Sequence, residues 1–296
     1  MRILLIYNPV SGVSRNREEK FGKILYELGR RNCDIVVYQT KANGDATKYL
    51  GKHLEDDFDM LAVRGGDGTL HEIVNALMKY ELSVPVAYLP AGSTNDYASN
   101  LGIKSKTAVK TLISRKIRHL DIGKFNKEYF TYVAAFGIMT DLSFATPQKA
   151  KNSLGYLAYL MGCVKELKDM HPIHMKCRVD DGTIEDDFLV GMITNALSIA
   201  GVIKRKDKGA KLDDGLMEYI FIKYPKNPGD ISHIIYSLMN SKFDTKYMYY
   251  GASRTFDIDS DSMVWTLDGE CGGNHKHVKI DTIPKALSIA VGKEYE

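Results

Sequence analysis

The sequence predicts a two-part α/β protein: an N-terminal parallel sheet clad in helices, then an antiparallel β-rich, sandwich-like part. Three observations predict it. Over the first 120 residues, apolar runs alternate with stretches of helical periodicity. After about Asp121 the rhythm changes to short strand-like segments separated by turn residues. Polar, glycine-rich turns follow the early strands, at the edge where an open parallel sheet binds its ligands.

Residues 3–7 are a continuous apolar run, as a strand covered on both faces requires. Residues 17–30 place Phe21, Ile24, Leu25 and Leu28 at helical spacing. Residues 34–39 are rich in β-formers (Ile35, Val36, Val37, Tyr38), and 45–54 read as a short helix. A third strand over 60–63, a helix over 69–78, a fourth strand over 84–89 and a helix over 106–114 complete the βα rhythm. The second part offers strands at 129–135, 175–179, 188–194, 217–223, 254–258, 263–267, 278–283 and 287–291. Two helices interrupt it, an apolar one over 154–167 and an amphipathic one over 228–239. The expected domains are therefore 1–120 and 121–296.

Composition narrows the class. With 296 residues, 44% hydrophobic and 26% charged, the chain is an ordinary globular sequence. A net charge of +3 gives no reason to expect a nucleic-acid partner. The basic cluster over 204–211 is either a solvated loop or an attractor for polyphosphate or an anionic membrane surface. Cysteines 33, 163, 177 and 271 show no CxxC spacing, and Cys33 and Cys163 read as buried thiols of a reducing compartment. No run of about 18 apolar residues occurs and the N-terminus flows straight into a strand, so a cytoplasmic location is expected.

Four polar signatures carry the chemistry. Asn8-Pro9-Val10-Ser11-Gly12 follows the first strand. Gly65-Gly66-Asp67-Gly68-Thr69 follows the third, where backbone N–H groups can converge on an anion and one aspartate is available to a metal or nucleotide. Pro90-Ala91-Gly92-Ser93-Thr94-Asn95-Asp96 follows the fourth, and Asp121-Ile122-Gly123 marks the change of rhythm. Each alone is a set of turn formers. Three such turns on one sheet edge read as a nucleotide site. No GxxxxGK[ST] occurs, so phosphate binding would rest on backbone amides, hydroxyls and Mg²⁺ rather than a Walker lysine.

In this order and spacing, the first three motifs resemble the diacylglycerol kinase catalytic domain family, with the bacterial soluble lipid kinases nearest in length and layout. The resemblance runs from Asn8 to about Val291. It implies ATP and Mg²⁺ as cofactors and phosphoryl transfer to a lipid hydroxyl in a cleft between the two domains. It also implies peripheral contact with a membrane; the oligomeric state is not legible in the sequence, and a homodimer is compatible with it. By motif, the nucleotide contacts are Asn8, Pro9, Val10, Ser11, Gly12, Thr40, Gly65, Gly66, Asp67, Gly68, Thr69, Leu70, His71, Glu72 and Ser93, with Asp96 and Asp121 in a wider acidic network. His71 departs from the asparagine usual at that position. The family's late Asp-Gly-Glu segment matches Asp268-Gly269-Glu270. Two carboxylates two residues apart on a strand would share a face, one taking the proton of the acceptor hydroxyl and one orienting a cation. The family's second-domain Mg²⁺ maps to Asp214 with the carbonyls of Lys211 and Leu216, although an Asp-Gly turn explains that stretch equally well. The rival readings are an NAD kinase-like enzyme, which shares the glycine motif, and a non-catalytic nucleotide- or lipid-binding regulator.

Overall fold

The computed structural model describes residues 1–12, 17–53, 56–92, 95–137, 171–196, 198–199, 203–204, 211–240, 242–293 and 295. The chain divides into two compact units, one of residues 1–120 with 285–296 and the other of 121–284. The C-terminal residues thus leave the unit that the sequence reading gave them. Ile289 pairs in parallel with Val86, and the amides of Val291 and Gly292 donate to the carbonyls of Lys116 and Leu101. A Cβ on Gly292 would lie 1.8 Å from the Gly102 oxygen, so only glycine lets the tail backbone come this close.

In the first unit, β1 (Arg2–Tyr7), β2 (Asp34–Gln39), β3 (Met60–Gly65) and β4 (Val86–Pro90) stand in the order β4-β3-β1-β2 and pair in parallel. Among the described residues, five helices accompany them: α1 (Arg17–Gly29), α2 (Asp45–Lys52), α3 (Asp67–Lys79), α4 (Asp96–Asn100) and α5 (Ala108–Ser114). The Tyr7 ring stacks on Phe21 of α1, and the Tyr38 ring on Tyr49 of α2. Tyr38 stands opposite Ile6 in the register, so the two tyrosines lie on opposite faces of the sheet. Helices therefore cover both faces, which is why Ile3 to Ile6 are at most 2% exposed.

The strand after α5, β5 (Ile117–Phe125), leads into the second unit. There follow β6 (Glu128–Phe130), β7 (Val133–Gly137), β8 (Ile173–Val179), β9 (Gly182–Thr194), a small ladder of β10 (Ser198–Ile199) with β11 (Ile203–Lys204), β12 (Met217–Lys223), α6 (Pro228–Asn240), β13 (Met248–Ser253), β14 (Thr255–Leu267) and β15 (Glu270–Ala290). Antiparallel pairing links β13-β12-β9-β7-β14-β15, and β8 joins both β9 and β14. These strands form one hydrogen-bonded sheet rather than two. Its core is made by its own strands: Phe125, Phe130, Phe136, Phe188, Phe221, Phe256 and Trp265 are all buried together, with Trp265 against Phe125 and Phe136. A smaller cluster lies under Ile234 and Leu238 of α6.

Several sequence expectations change. Asp121-Ile122-Gly123 is no turn but the middle of β5, where Gly123 makes room for the Phe130 ring that a Cβ would meet at 2.2 Å. The expected strand 129–135 is broken at Thr131 and Tyr132, whose amides turn to a side chain instead of a neighbouring strand. The last four expected strands merge into the two arms of a β14–β15 hairpin. Cys177 is buried, with its thiol pushed up to about 12 by desolvation, whereas Cys33 is only half-buried and Cys271 is exposed. Cys163, the apolar segment 154–167 and residues 205–210 of the basic cluster lie outside the described residues. Among the described residues no helix is long and apolar enough to cross a membrane.

Candidate active site

At the carboxyl edge of the first unit's sheet, the loops after β1, β3 and β4 close on one another. The Asn8 amide donates to the Arg64 carbonyl at 2.9 Å, and its side-chain Nδ2 donates to Thr69 Oγ1 at 3.0 Å. The Ala91 amide donates to the Gly65 carbonyl at 2.8 Å. Gly66 and Gly92 pack backbone to backbone: a Cβ on Gly92 would lie 2.8 Å from the Gly66 Cα. Gly12 has φ +79°, and its Cβ would lie 2.0 Å from the Ala91 oxygen. Replacing Gly12 by alanine is therefore expected to lower stability by about 1–3 kcal/mol, from left-handed strain and the displaced loop. Urea denaturation checks this, and an unchanged midpoint would mean that the loop does not rest on Ala91.

The glycine motif is less of a loop than the sequence suggested. Gly65 ends β3, Gly66 caps the helix, and Asp67-Gly68-Thr69 is already the first turn of α3. The strand and helix each run two residues further into the motif than expected because Gly65 leaves space for Thr69, whose side chain would be 2.5 Å from a Cβ there. The motif amides thus belong to a helix N-terminus, where the first N–H groups lack intrahelical acceptors and favour an anion.

Asp67 has a buried neighbour that sequence reasoning missed. The Tyr88 hydroxyl lies 3.2 Å from Asp67 Oδ1 and 3.4 Å from Asn95 Oδ1. Asn95 is itself fixed by donating from Nδ2 to the Gly92 carbonyl at 2.7 Å. Burial pushes the Tyr88 phenol far up, and the negative charges of Asp67 and Asp96 add to this. Tyr88 is consequently a permanent neutral donor beneath Asp67. Its signal was a lone hydroxyl in the apolar strand Val86-Ala87-Tyr88-Leu89. Arg64 was missed likewise, a single cation in β3, whose six residues are all buried.

The other residues expected at the site have the following partners within the chain. Glu72 Oε1 accepts from the Thr47 amide at 3.0 Å, so this carboxylate caps the first turn of α2. His71 is tied along its own helix to Asn75, whose Nδ2 donates to the His71 carbonyl at 3.0 Å. Thr40 is buried and holds the end of β1, donating its amide to the Tyr7 carbonyl at 2.9 Å. Val10 is exposed, with its amide on Asn8 Oδ1 at 3.1 Å. Arg17 clamps the same loop by donating to the carbonyls of Pro9 and Gly12. Ser93 lies outside the described residues.

In the second unit, Asp268 and Glu270 do not share a strand face. Asp268-Gly269 is the two-residue turn of the β14–β15 hairpin, with φ +53° and +87°, both in the left-handed region that a type I′ turn uses. The Asp268 carboxylate faces inward. Its Oδ2 accepts from the Thr131 amide at 2.9 Å and hydroxyl at 3.1 Å, and its Oδ1 from the amides of Tyr132 at 2.8 Å and Val133 at 3.1 Å. Glu270 opens β15 and is exposed, and its side chain makes no hydrogen bond or ion pair with a described residue.

Asp121 is tied to the 211–216 stretch. It is fully buried, its Oδ2 accepts from the Gly215 amide at 2.6 Å, and its own amide donates to the Leu212 carbonyl at 2.8 Å. Asn195 Nδ2 joins them by donating to the Asp121 carbonyl at 2.7 Å. Asp214 Oδ1 accepts from the Leu216 amide at 3.1 Å, the turn geometry that the sequence also allowed, and its carboxylate is exposed. A separate trio, Asp257, Asp259 and His277, gathers its ligand atoms within 4.8 Å on β14 and β15. Arg178 already bridges both of its carboxylates, at 3.0 and 3.1 Å.

Comparison with known proteins agrees with these motifs. The family model for the diacylglycerol kinase catalytic domain matches residues 2–125. A protein of Staphylococcus saprophyticus named diacylglycerol kinase is 30% identical over 281 residues, covering 92% of this chain and 90% of its own. One of the same name from Bacillus subtilis is 28% identical, covering 92% and 90%. Among solved structures, a diacylglycerol kinase from Bacillus anthracis superposes with a TM-score of 0.74 at 21% identity, covering 100% of this chain and 98% of that one. The chain belongs to the diacylglycerol kinase catalytic domain family, and with it to the lipid kinases.

Proposed function

We propose that this chain transfers the γ-phosphate of Mg·ATP to a hydroxyl of diacylglycerol or a closely related lipid, feeding phospholipid synthesis. The observation that carries this is the convergence of three motif loops on one sheet edge through contacts that only glycine permits, at Gly12 with Ala91 and Gly66 with Gly92. Such an edge offers backbone amides to phosphates and lets the ligand approach the main chain. In this reading the first unit is the ATP-binding domain and the second supplies the acceptor side.

Asp67 would hold the nucleotide's Mg²⁺. The fit rests on its donor set: a carboxylate fixed by the Tyr88 hydroxyl, with the charge of Asp96 acting on the same phenol. Oxygen donors of this kind suit Mg²⁺, which when bound neutralises the charge of the transferring phosphate. Asp214 with the carbonyls of Lys211 and Leu216 also offers oxygen donors alone, and the buried Asp121 steadies that loop through Gly215. Of the two late carboxylates, Glu270 is the base we assign. It is exposed, whereas Asp268 is saturated by the 131–133 segment. A general base must reach the proton that it abstracts, and the Glu270 side chain has no competing donor among the described residues.

A lipid acceptor requires the enzyme to approach a bilayer, so we expect peripheral binding to vesicles. The test is transfer of label from γ-labelled ATP in the presence of Mg²⁺ to a panel of diacylglycerol, monoacylglycerol, phosphatidylglycerol, a sphingoid base and NAD⁺. Labelled diacylglycerol or another hydroxyl lipid is the expected product. Label on NAD⁺ alone would overturn the reading in favour of an NAD kinase, and nucleotide binding without any transfer would favour a non-catalytic regulator.

A further inference from the structure

Among the described residues, Arg64 is a buried cation with no counter-charge. Only 8% of it reaches solvent, and its Nε has no hydrogen-bond partner. The group felt by its guanidinium is the phenol of Tyr7, its register partner on β1, and no carboxylate among the described residues pairs with it. Desolvation pushes its pKa down, yet arginine keeps its proton at neutral pH. An isolated charge in such a place is strongly unfavourable unless an anion joins it.

Its position says which anion. The Arg64 carbonyl is held by the loop after β1, through the Asn8 amide, and the next carbonyl, of Gly65, by the loop after β4, through the Ala91 amide. Arg64 therefore stands where these loops meet, two residues before Gly66, the N-cap of the 13-residue helix α3. Arg17 brings a second guanidinium to the same loop, its Nη atoms on the Pro9 and Gly12 carbonyls and its Nε likewise without a partner. In β3 the place of Gly65's missing side chain faces Thr69 of α3, so the Arg64 side chain, one residue earlier, lies on the other face, that of Tyr7. The edge thus has helix amides on one side and a guanidinium on the other.

We propose that Arg64 is a phosphate-recognising residue of this site, with its N–H donors directed to a phosphate group, on our reading one of the nucleotide's. The proposal rests on the assignment of this edge to ATP. It makes the site's phosphate grip depend on an arginine at the end of a strand, in place of the lysine that the chain lacks. Arginine suits this role because its planar fork can donate two parallel hydrogen bonds to one phosphate.

The test compares the whole protein with Arg64→Met, which keeps the apolar stem and drops the charge, and with Arg64→Lys. Calorimetry with ADP and ATP is expected to give affinities about 10- to 100-fold weaker for Arg64→Met, the range for a lost hydrogen bond to a charged group, with partial recovery in Arg64→Lys. Sodium pyrophosphate should raise the melting temperature of the wild type and leave that of Arg64→Met unmoved. Without ligand, Arg64→Met should melt no lower than the wild type, because an unpaired buried charge has been removed. Equal ADP affinity in wild type and Arg64→Met, equal protection of both by pyrophosphate, or a ligand-free Arg64→Met that melts lower or fails to fold would each overturn the proposal and leave a structural contact with Tyr7. A wild type that ignores ADP and ATP but is stabilised, through Arg64, by pyrophosphate or dihexanoyl phosphatidate would refute the nucleotide assignment while upholding Arg64 as a phosphate receptor. A wild type indifferent to every phosphate would end both.

Discussion

Glu270→Gln is expected to lower kcat by about 10²–10⁴, the usual contribution of a positioned general base. Glu270 is exposed at the start of β15 and its side chain is hydrogen-bonded to no described residue, so the substitution removes a carboxylate oxygen and little else. ATP affinity should stay within about twofold, and the melting temperature within the scatter of neutral surface changes. A fall in kcat and in kcat/KM by the same factor would place the lost interaction in the transition state. Steady-state kinetics with saturating lipid decides it: turnover within a few-fold of the wild type would return the base to another group.

Asp268→Ala is expected to act through stability instead, lowering it by about 3–5 kcal/mol. One carboxylate accepts four hydrogen bonds from Thr131, Tyr132 and Val133, three of them from backbone amides at the break between β6 and β7. Removing it leaves those donors without their acceptor, each at a cost of about 1–3 kcal/mol where water cannot replace it. It also leaves alanine to adopt the φ of +53° that an aspartate beside glycine tolerates in a type I′ turn. Chemical denaturation followed by Trp265 fluorescence reads the change from within the affected core. An unaltered midpoint, with activity lost, would make Asp268 a reacting group and reverse the division of labour between the two carboxylates.

The motifs were legible because each is a local statement. Asn8 to Gly12, Gly65 to Thr69 and Pro90 to Asp96 hold residues whose backbone preferences are strong, and the alternation around them places all three at one sheet edge. What the sequence could not express is which polar group answers which. Glu72 lies in the middle of the motif region, yet it caps α2, because Thr47, 25 positions earlier, is brought against it by the packing of two helices. Tyr88 and Arg64 passed as members of apolar strands, and their meaning comes from Asp67 and from the lack of a carboxylate beside Arg64 among the described residues. Asp268 and Glu270 are two apart in number, but the chain reverses at Gly269, so the period-two rule for strand faces does not reach across them.

The sequence by itself determined the mixed α/β class, the position where its rhythm changes, the family and the three polar motifs at the sheet edge, since these follow from short-range periodicity and turn chemistry. Only the tertiary structure decided that residues 285–296 return to the first unit, that Asp121 serves the 211–216 loop, and that Asp268 is an anchor while Glu270 stays open. Those outcomes depend on hydrogen bonds between residues 94 positions apart for Asp121 and Gly215 and 137 apart for Asp268 and Thr131. A buried carboxylate takes whatever donors the fold brings to it, and no local pattern records which they are.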